Sequence, residues 1–234
     1  MNIGVIPARY HSERFPQKIL TPIHDKPMVA HVAERALRSK LLDKVIIAID
    51  HEQTRTALES YEFEVIMTSP DHKSGTDRIG EVLSKVDADI IVNIQGDEPL
   101  MDSDIIDGII NLFHNSDIQM ATAVSTAITP DDYFNENIVK AFLDEHSRAI
   151  SFQRQINQNE IGGCYKHLGI YAYTKTALTQ FIQLPQSEHE KALRLEQWRA
   201  LDNGIDIYTV ITNYPHHGVD VPSDLDYILK HLKK

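Results

Sequence analysis

The chain has 234 residues, 42% of them hydrophobic, and a formal net charge of −11 at pH 7. This length and apolar content predict one folded α/β domain rather than a disordered chain. The acidic balance argues against a nucleic-acid partner, because nonspecific binding to phosphate backbones needs a basic face. No apolar run approaches the ~20 residues that span a bilayer, so we expect no membrane partner.

The cysteine and histidine content also restricts the function. A single cysteine, Cys164, excludes an internal disulfide framework and a multi-cysteine metal site. The twelve histidines are scattered apart from His216 and His217, and no HxxxH or HExxH occurs, which disfavours a histidine-built zinc site. The first residues show no basic leader before an apolar core. We therefore expect a cytoplasmic protein.

In the first half of the chain, a strand is followed by a helix four times. The predicted strands are Ile3–Ile6, Val45–Ile49, Glu64–Met67 and Asp89–Ile94, and the predicted helices are Lys26–Leu37, Glu52–Ser60, Thr76–Val86 and Asp102–Phe113. This alternation predicts a doubly wound, mostly parallel sheet of the Rossmann-like type. Ligands of such sheets bind beyond the carboxyl ends of the strands. We therefore expect the loops after Ile6, Ile49 and Ile94 to share one crevice.

The second half is less regular. Its predicted strands are Met120–Val124, Val139–Leu143, His167–Tyr173 and Ile205–Ile211, and its predicted helices are Lys175–Gln183, Glu188–Leu201 and Ser223–Lys233. Val139–Leu143 alternates and precedes a turn at residues 144–147, which is typical of a β-ribbon. The polar, glycine-containing segment 157–163 is predicted to be a loop.

A basic loop, PARYHSERFPQK, follows the first strand. It carries three cations within ten residues, Arg9, Arg14 and Lys18. Backbone N–H groups and basic side chains in such a loop suit a polyphosphate. An ordinary solvated loop is the alternative, and the position directly after a strand that we expect to be central disfavours it.

Two acidic segments follow buried strands. In QGDEPL, Gly96 places the carboxylate of Asp97 at the lip of the crevice, although a helix N-cap region explains the acids equally well. In GVDVPSDL, Ser223 or Asp224 is predicted to cap a helix, which leaves Asp220 without an obvious structural role. Two facing carboxylates would form a Mg²⁺ site typical of phosphoryl chemistry.

Two further patterns contain polar side chains of interest. DHKSGTDR opens a helix at Ser74, whose hydroxyl and neighbouring N–H groups suit base or ribose contacts; a plain helix cap is the alternative. In HLGIYAY, strand alternation puts His167, Tyr171 and Tyr173 on one face, together with Gly169. RLEQWRAL places Glu196 and Gln197 mid-helix, where a solvated face is the simpler interpretation for Glu196.

Together these segments resemble one family, the bacterial cytidylyltransferases that activate 3-deoxy-manno-octulosonate (Kdo). The segments that carry the resemblance are PARYHSERFPQK, MTSPDHKSGTDR, VNIQGDEPL, KHLGIYAY, LEQWRAL and GVDVPSDL, and they cover nearly the whole chain. The resemblance implies that CTP and an acidic eight-carbon sugar give a CMP-sugar and pyrophosphate, for lipopolysaccharide assembly. It also implies a single nucleotidyltransferase domain over residues 1–234 and a homodimer, with a dimerisation and sugar-binding β-extension within about residues 125–185.

The resemblance further implies roles for individual residues. The triphosphate would be bound by Arg9, Ser12 and Lys18, with Ala8, Ser74, Gly75, Arg78 and Gln95 near the nucleotide. Mg²⁺ would be held by Asp97 and Asp220, and catalysis would rest on Arg9, Lys18 and Asp97. The sugar pocket would be lined by Arg154, His167, Tyr171, Glu196 and Gln197.

The sequence departs from the family pattern at several positions. Gln17 stands where the family usually has glycine, and Glu13 where it has a small hydroxyl residue. The segment from Gln153 to Asn157 also differs, which leaves open the 8-amino analogue of Kdo or another acidic sugar. A uridylyl or guanylyl transferase and a non-catalytic nucleotide-binding protein remain as alternatives.

Overall fold

The computed structural model describes residues 1–12 and 14–232, which fall into two compact units. The first unit combines Met1–Asp107 with His217–Lys234, and the second is Gly108–His216. Glu13 and the predicted helix end at Lys233 lie outside the described residues. The assignment of dimerisation and sugar binding to residues 125–185 stays a prediction.

The first unit contains a parallel sheet. Its strands are β1 (Asn2–Ala8), β2 (Pro22–Ile23), β3 (Lys26–Pro27), β4 (Lys44–Ile49), β5 (Glu64–Met67) and β6 (Ile90–Asn93). The sheet order is β6-β1-β4-β5 with every neighbouring pair parallel, while β2 and β3 form a separate antiparallel hairpin. The predicted parallel sheet is therefore confirmed, and β1 is flanked on both sides.

Helices alternate with or follow these strands. They are α1 (Met28–Ala36), α2 (Glu52–Leu58), α3 (Gly75–Leu83) and α4 (Ser103–Leu112). In α1 the apolar side chains at Met28, Val29, Val32 and Ala33 are fully buried, because helical spacing gathers them on one stripe. The four predicted helices are confirmed, with ends that differ from the prediction by a few residues.

The second unit is built on a mixed sheet. Its strands are β7 (Met120–Ser125), β8 (Lys140–Leu143), β9 (Ala149–Gln153), β10 (Tyr165–Thr174) and β11 (Ile207–Thr212). β7 pairs with β10 antiparallel and with β11 parallel, and β8 pairs with both β9 and β10. The hairpin of β8 and β9 confirms the predicted β-ribbon.

The remaining helices are α5 (Pro130–Phe134), α6 (Lys175–Gln183), α7 (Glu188–Leu193), α8 (Trp198–Asp202) and, in the first unit, α9 (Leu225–His231). The prediction of one helix over Glu188–Leu201 is wrong, since the backbone of Arg194 turns to a positive φ of 54° and ends α7. The closing helix also starts later than predicted, after a 3₁₀ turn at Pro222–Asp224. Among the helices described, none is long and apolar enough to traverse a membrane.

Candidate active site

A pocket of about 480 Å³ lies in the first unit, next to the ends of β1 and β6. Its lining residues are Pro7, Arg9, Ser12, Arg14, Lys18, Ile19, His72, Lys73, Ser74, Gly75, Arg78, Gln95, Gly96, Asp97 and Asp220. We call it the basic pocket, because its fixed cations outnumber its two carboxylates although the whole chain is acidic. The loops after β1 and β6 both line it, at the edge of the sheet where ligands of doubly wound folds bind.

Two glycines let separate segments approach each other closely at this pocket. A Cβ atom on Gly96 would lie 3.1 Å from the carbonyl oxygen of Pro7, and one on Gly75 would lie 3.3 Å from the Pro7 ring. The absence of a side chain therefore brings the loop after β6 and the start of α3 against the end of β1.

Lys18 joins the two predicted metal carboxylates. Its Nζ lies 2.5 Å from Oδ2 of Asp97 and 3.7 Å from Oδ1 of Asp220, and it donates to the carbonyl oxygen of Val219 at 2.8 Å. The N–H of Val219 in turn donates to the carbonyl oxygen of Asp97. Residues more than a hundred positions apart in sequence therefore converge on one ammonium group.

This arrangement fits a divalent cation that prefers oxygen ligands. Two carboxylates already share one positive neighbour, and Mg²⁺ commonly uses one or two carboxylates together with phosphate oxygens and water. Within residues 1–12 and 14–232, no cluster of three or more His, Cys, Asp or Glu side chains is placed to hold a metal. Asp97 and Asp220 would therefore hold the ion with oxygens supplied by the substrate.

The neighbouring carboxyl of Glu98 is a different case. Its side chain is 5% exposed, and burial, with a contribution from the charge of Asp97, raises its pKa well above the ordinary range. Burial therefore favours the neutral form of Glu98, and Asp97 is the acid of this pair that lines the pocket.

Asp224, and not Asp220, stabilises the local backbone, which leaves the Asp220 carboxylate free to face the basic pocket. The Asp224 carboxylate accepts from the backbone N–H groups of Asp220 and Val221, at 2.7 and 2.9 Å. The predicted structural role of Asp224 is thus confirmed, although its carboxylate binds N–H groups that precede the 3₁₀ turn and makes no capping hydrogen bond to α9. Asp220 instead accepts from the guanidinium of Arg14 at 2.8 Å.

Several lining residues had no role in the sequence-based prediction. Arg14 was identified only as one of three cations in the basic loop. His72 and Lys73 lie in the segment DHKSGTDR but were given no role of their own. His72 contacts the Glu81 carboxylate at 2.7 Å. The signal that could have identified His72 and Lys73 is their position just before α3.

The other predicted nucleotide-binding residues occupy different environments. Arg9 is exposed and, among the residues that the structure describes, makes no hydrogen bond or ion pair. Ser12 and Gln95 line the pocket, and the Gln95 amide lies 3.4 Å from Oδ1 of Asn93. Ala8 is fully buried, between two lining residues.

Ser74 and Arg78 line the pocket while stabilising the fold. The Ser74 hydroxyl accepts from the N–H of Asp77 at 3.1 Å, so the simple helix-cap interpretation is confirmed. The buried guanidinium of Arg78 donates to Asp50 at 3.0 Å and to Thr68 at 2.5 Å. Burial lowers the pKa of Arg78 from its ordinary value.

The backbone at Gln17 explains why glycine is usual there in the family. Gln17 adopts the left-handed conformation with φ 54°, and its amide donates to the hydroxyl of Tyr10 at 2.6 Å. Left-handed backbone costs a non-glycine residue roughly 1–2 kcal/mol.

Gln17→Gly should therefore be more stable than Gln17→Ala by about 1 kcal/mol, because both lose the Tyr10 hydrogen bond and only alanine keeps the strain. Urea unfolding of the two variants measures the difference. Equal stabilities would show that the conformation at this position carries no strain.

In the second unit, β10 does not follow the simple alternation that the sequence predicted. Its register against β7 shifts between Leu168 and Tyr171, so a bulge interrupts the alternation. The rings of His167 and Tyr171 still lie 5.4 Å apart, and those of Tyr171 and Tyr173 lie 6.3 Å apart. The structure thus brings together the two aromatic residues of the predicted sugar set.

Hydrogen bonding defines the tautomer of His167. The Thr122 hydroxyl donates to the Ile170 carbonyl oxygen at 2.7 Å, so at 3.1 Å it accepts from Nε2–H of His167. Burial lowers the pKa of His167 to about 3. The ring is therefore neutral near pH 7 and presents an acceptor at Nδ1.

The buried His167 should make the folded state sensitive to acid. Its folded pKa lies below the unfolded value of about 6.5, so the unfolded chain binds more protons and stability falls as pH drops below about 6.5. His167→Gln should therefore lose stability less steeply with falling pH than the wild type. The two slopes should differ by up to about 1.4 kcal/mol per pH unit. Urea unfolding at several pH values measures this slope, with exposed His146→Gln as the control. Parallel wild-type and His167→Gln profiles would contradict it.

Arg154 follows β9 and is held by backbone carbonyl oxygens. Its guanidinium donates to Glu136, Leu193 and Arg194 at 3.1–3.3 Å. In the part of the chain that the structure describes, no carboxylate neutralises it. This geometry suits recognition of an anionic group.

Glu196 and Gln197 lie between α7 and α8 rather than mid-helix. Gln197 is 6% exposed. The Glu196 side chain is 33% exposed and its Oε1 lies 3.6 Å from Arg199, so a fully solvated helix face, as predicted for Glu196, is wrong. The Glu196 charge also contributes to a raised pKa at Tyr171, after the larger effect of burial. Glu196 therefore lies near Tyr171.

Comparisons with known proteins identify relatives of this chain. A family model described as cytidylyltransferase matches residues 3–207. A 3-deoxy-manno-octulosonate cytidylyltransferase of Geobacter sulfurreducens is 41% identical over all of both chains. One from Thermodesulfovibrio yellowstonii is 40% identical over 99% of this chain and 98% of its own.

The chain belongs to the 3-deoxy-manno-octulosonate cytidylyltransferase family.

Solved structures extend the comparison. A CMP:2-keto-3-deoxy-manno-octonic acid synthetase complexed with CTP matches with a TM-score of 0.91 and 36% identity, over 98% of this chain and 97% of that one. A 4-diphosphocytidyl-2C-methyl-D-erythritol synthase of Anaerococcus prevotii matches with a TM-score of 0.66 at 12% identity, over 98% of this chain and 95% of that one. The second match shows the fold alone, and the family's fold is that of a nucleotidyltransferase.

Proposed function

We propose that this chain transfers the cytidylyl group of CTP to Kdo, giving CMP-Kdo and pyrophosphate for lipopolysaccharide biosynthesis. The observation that supports this best is the basic pocket, where Asp97 and Asp220 converge on Lys18 and where Arg9 and Arg14 of the same loop are also lining residues. Full-length identity of about 40% to enzymes named for this reaction supports the choice of nucleotide and sugar.

The proposed reaction is a substitution at phosphorus. The anomeric hydroxyl oxygen of the sugar forms a bond to the α-phosphorus, the bond from that phosphorus to the bridging oxygen breaks, and pyrophosphate leaves. The hydroxyl proton goes to solvent, since no side chain is assigned as a general base. Positioning and charge stabilisation dominate such reactions.

The negative charge of the triphosphate would be neutralised by basic side chains and by a bound metal ion. Arg9, Arg14 and Lys18 would bind the triphosphate oxygens, because charge-assisted hydrogen bonds from guanidinium and ammonium groups suit phosphate. Asp97 and Asp220 would hold Mg²⁺, which when bound neutralises phosphate charge.

The sugar would be recognised by the residues assembled in the second unit. Arg154 would pair with the sugar carboxylate, and neutral His167 would accept from a sugar hydroxyl at Nδ1. Tyr171, Glu196 and Gln197 would supply further hydrogen bonds. A homodimer and a cytoplasmic location complete the proposal; light scattering tests the first and cell fractionation the second.

The decisive experiment measures pyrophosphate release by the purified chain with Mg²⁺, a panel of nucleoside triphosphates and a panel of acidic sugars. We expect turnover with CTP and Kdo. Turnover only with the 8-amino analogue would change the assigned sugar. Turnover with UTP or GTP and a sugar 1-phosphate, or CTP binding without any turnover, would overturn the proposal.

A further inference from the structure

A second cleft of about 500 Å³ lies in the first unit and shares no lining residue with the basic pocket. It is formed by the turn of the β2–β3 hairpin, one face of α1 and the end of α9. Its polar lining includes three histidines, His24, His31 and His231, and two arginines, Arg35 and Arg38. We call it the histidine–arginine cleft.

The charges of the cleft do not cancel. Lys26 and Glu34 neutralise each other, with 2.5 Å between Nζ and Oε1. Among the described lining residues, the remaining fixed charges are two arginines against the exposed carboxylate of Asp25. Arg35 donates to the carbonyl oxygens of Leu100 and Met101 at 3.3 and 3.4 Å. In the described ranges, Arg38 makes no ion pair.

The three histidines share one hydrogen-bonding pattern. Nε2 of His24 and of His31 lies 3.0 and 2.9 Å from a backbone carbonyl oxygen, and Nδ1 of His231 lies 2.8 Å from another. Because a carbonyl oxygen only accepts, each of these nitrogens carries the proton. The second nitrogen of each ring becomes a donor only when the ring is protonated.

Such a lining favours an anion over a metal ion. No metal-binding cluster of three or more His, Cys, Asp or Glu side chains occurs in the described parts of the chain, and these histidines are therefore not placed to share a metal. Two guanidinium groups repel cations and form forked hydrogen bonds with phosphate oxygens. The cleft volume lies within the range of small-molecule sites.

We propose that the histidine–arginine cleft binds a small multivalent oxyanion of the phosphate class, through Arg35, Arg38 and protonated histidines. The inference stands whether or not the chain transfers a cytidylyl group, because the cleft and the basic pocket have separate linings. Anion binding would draw protons onto His24, His31 and His231, since only the protonated rings offer a second donor.

The test follows histidine signals in ¹⁵N NMR spectra of the full chain during titration with pyrophosphate. The signals are assigned with single His→Gln variants. His72 lines the basic pocket and reports binding there, so the two sites are distinguished in one titration. We expect His24, His31 and His231 to move saturably with a common Kd that differs from that of His72. Their second nitrogens should shift toward imidazolium values.

Variants make the proposal falsifiable. Arg35→Gln/Arg38→Gln should weaken binding at this cleft about tenfold or more, because two forked charge-assisted contacts are lost. If that variant misfolds, Arg38→Gln alone, an exposed position, should weaken binding at least about threefold. Lys40→Gln/Arg55→Gln removes two charges outside the cleft and should leave the Kd unchanged. Unsaturable shifts, shifts that only follow His72, or equal Kd values in all variants would overturn the proposal.

Discussion

Asp97→Asn should lower kcat for CTP-dependent pyrophosphate release by at least about 10²-fold, comparable to the loss of other electrostatic stabilisers. Asparagine keeps the shape of the side chain and removes its charge. The Asp97 carboxylate is one of two that converge on Lys18, and the proposed Mg²⁺ site needs both. The measurement is steady-state kinetics over a range of Mg²⁺ concentrations, including saturation.

Matched variants separate metal binding from a general effect of charge. Asp104→Asn removes an exposed acid at the start of α4, outside the basic pocket, and should leave kcat near the wild-type value. Asp97→Asn/Asp220→Asn should lose little more activity than either single variant, because residues that act as a unit are non-additive. Near-normal turnover of Asp97→Asn at saturating Mg²⁺ would contradict the metal assignment.

Lys18→Gln distinguishes the roles of the two partners in the Lys18–Asp97 contact. It removes the ammonium that now neutralises both carboxylates. The Mg²⁺ concentration for half-maximal rate should not rise in Lys18→Gln, whereas in Asp97→Asn it should. A rise of the same size in both variants would indicate that the Lys18–Asp97 contact, rather than the metal, supports activity.

The second large effect is on stability. Arg78→Ala should lower the free energy of unfolding by about 3–5 kcal/mol, because it leaves the buried carboxylate of Asp50 without its cation. In the folded chain both side chains of this ion pair are nearly inaccessible, at 2% and 6% exposure. Asp50 also accepts from the N–H of Tyr10 at 2.8 Å, so the loss should extend to the start of the basic loop. Urea unfolding gives the value.

Two control variants are compared with Arg78→Ala. Arg55→Ala breaks an exposed pair with Glu52 and should cost less than about 1 kcal/mol. Arg78→Lys keeps the charge and loses the forked geometry, so its stability should lie between the wild type and Arg78→Ala. If Arg78→Ala is no less stable than Arg55→Ala, the buried pair does not support the fold.

The parallel half of the fold was predictable because its signals are local. Short apolar runs such as Val45–Ile49, separated by amphipathic helices, identify buried parallel strands from spacing alone. The lining residues in the loops after β1 and β6 were predictable for the same reason, since the loops after parallel strands share one edge.

Other features depend on contacts that spacing does not reveal. The position of Arg78 in the segment DHKSGTDR fits a nucleotide-binding role. The structure shows in addition that its guanidinium donates to Asp50, 28 positions earlier. The break at Arg194 was missed because α7 and α8 share a continuous helical pattern of apolar residues. The bulge in β10 was missed because its register is set by pairing with β7.

The break after α7 has a consequence for Arg154. Had the helix continued, as the amphipathic pattern suggested, the carbonyl oxygens of Leu193 and Arg194 would have been used by N–H groups one turn later. Because α7 ends, those oxygens accept from Arg154 instead. Arg154 is thus immobilised by neutral dipoles and keeps its full charge. A guanidinium that is already ordered loses little side-chain conformational entropy when it binds an anion. Part of the entropic cost of binding is therefore incurred during folding.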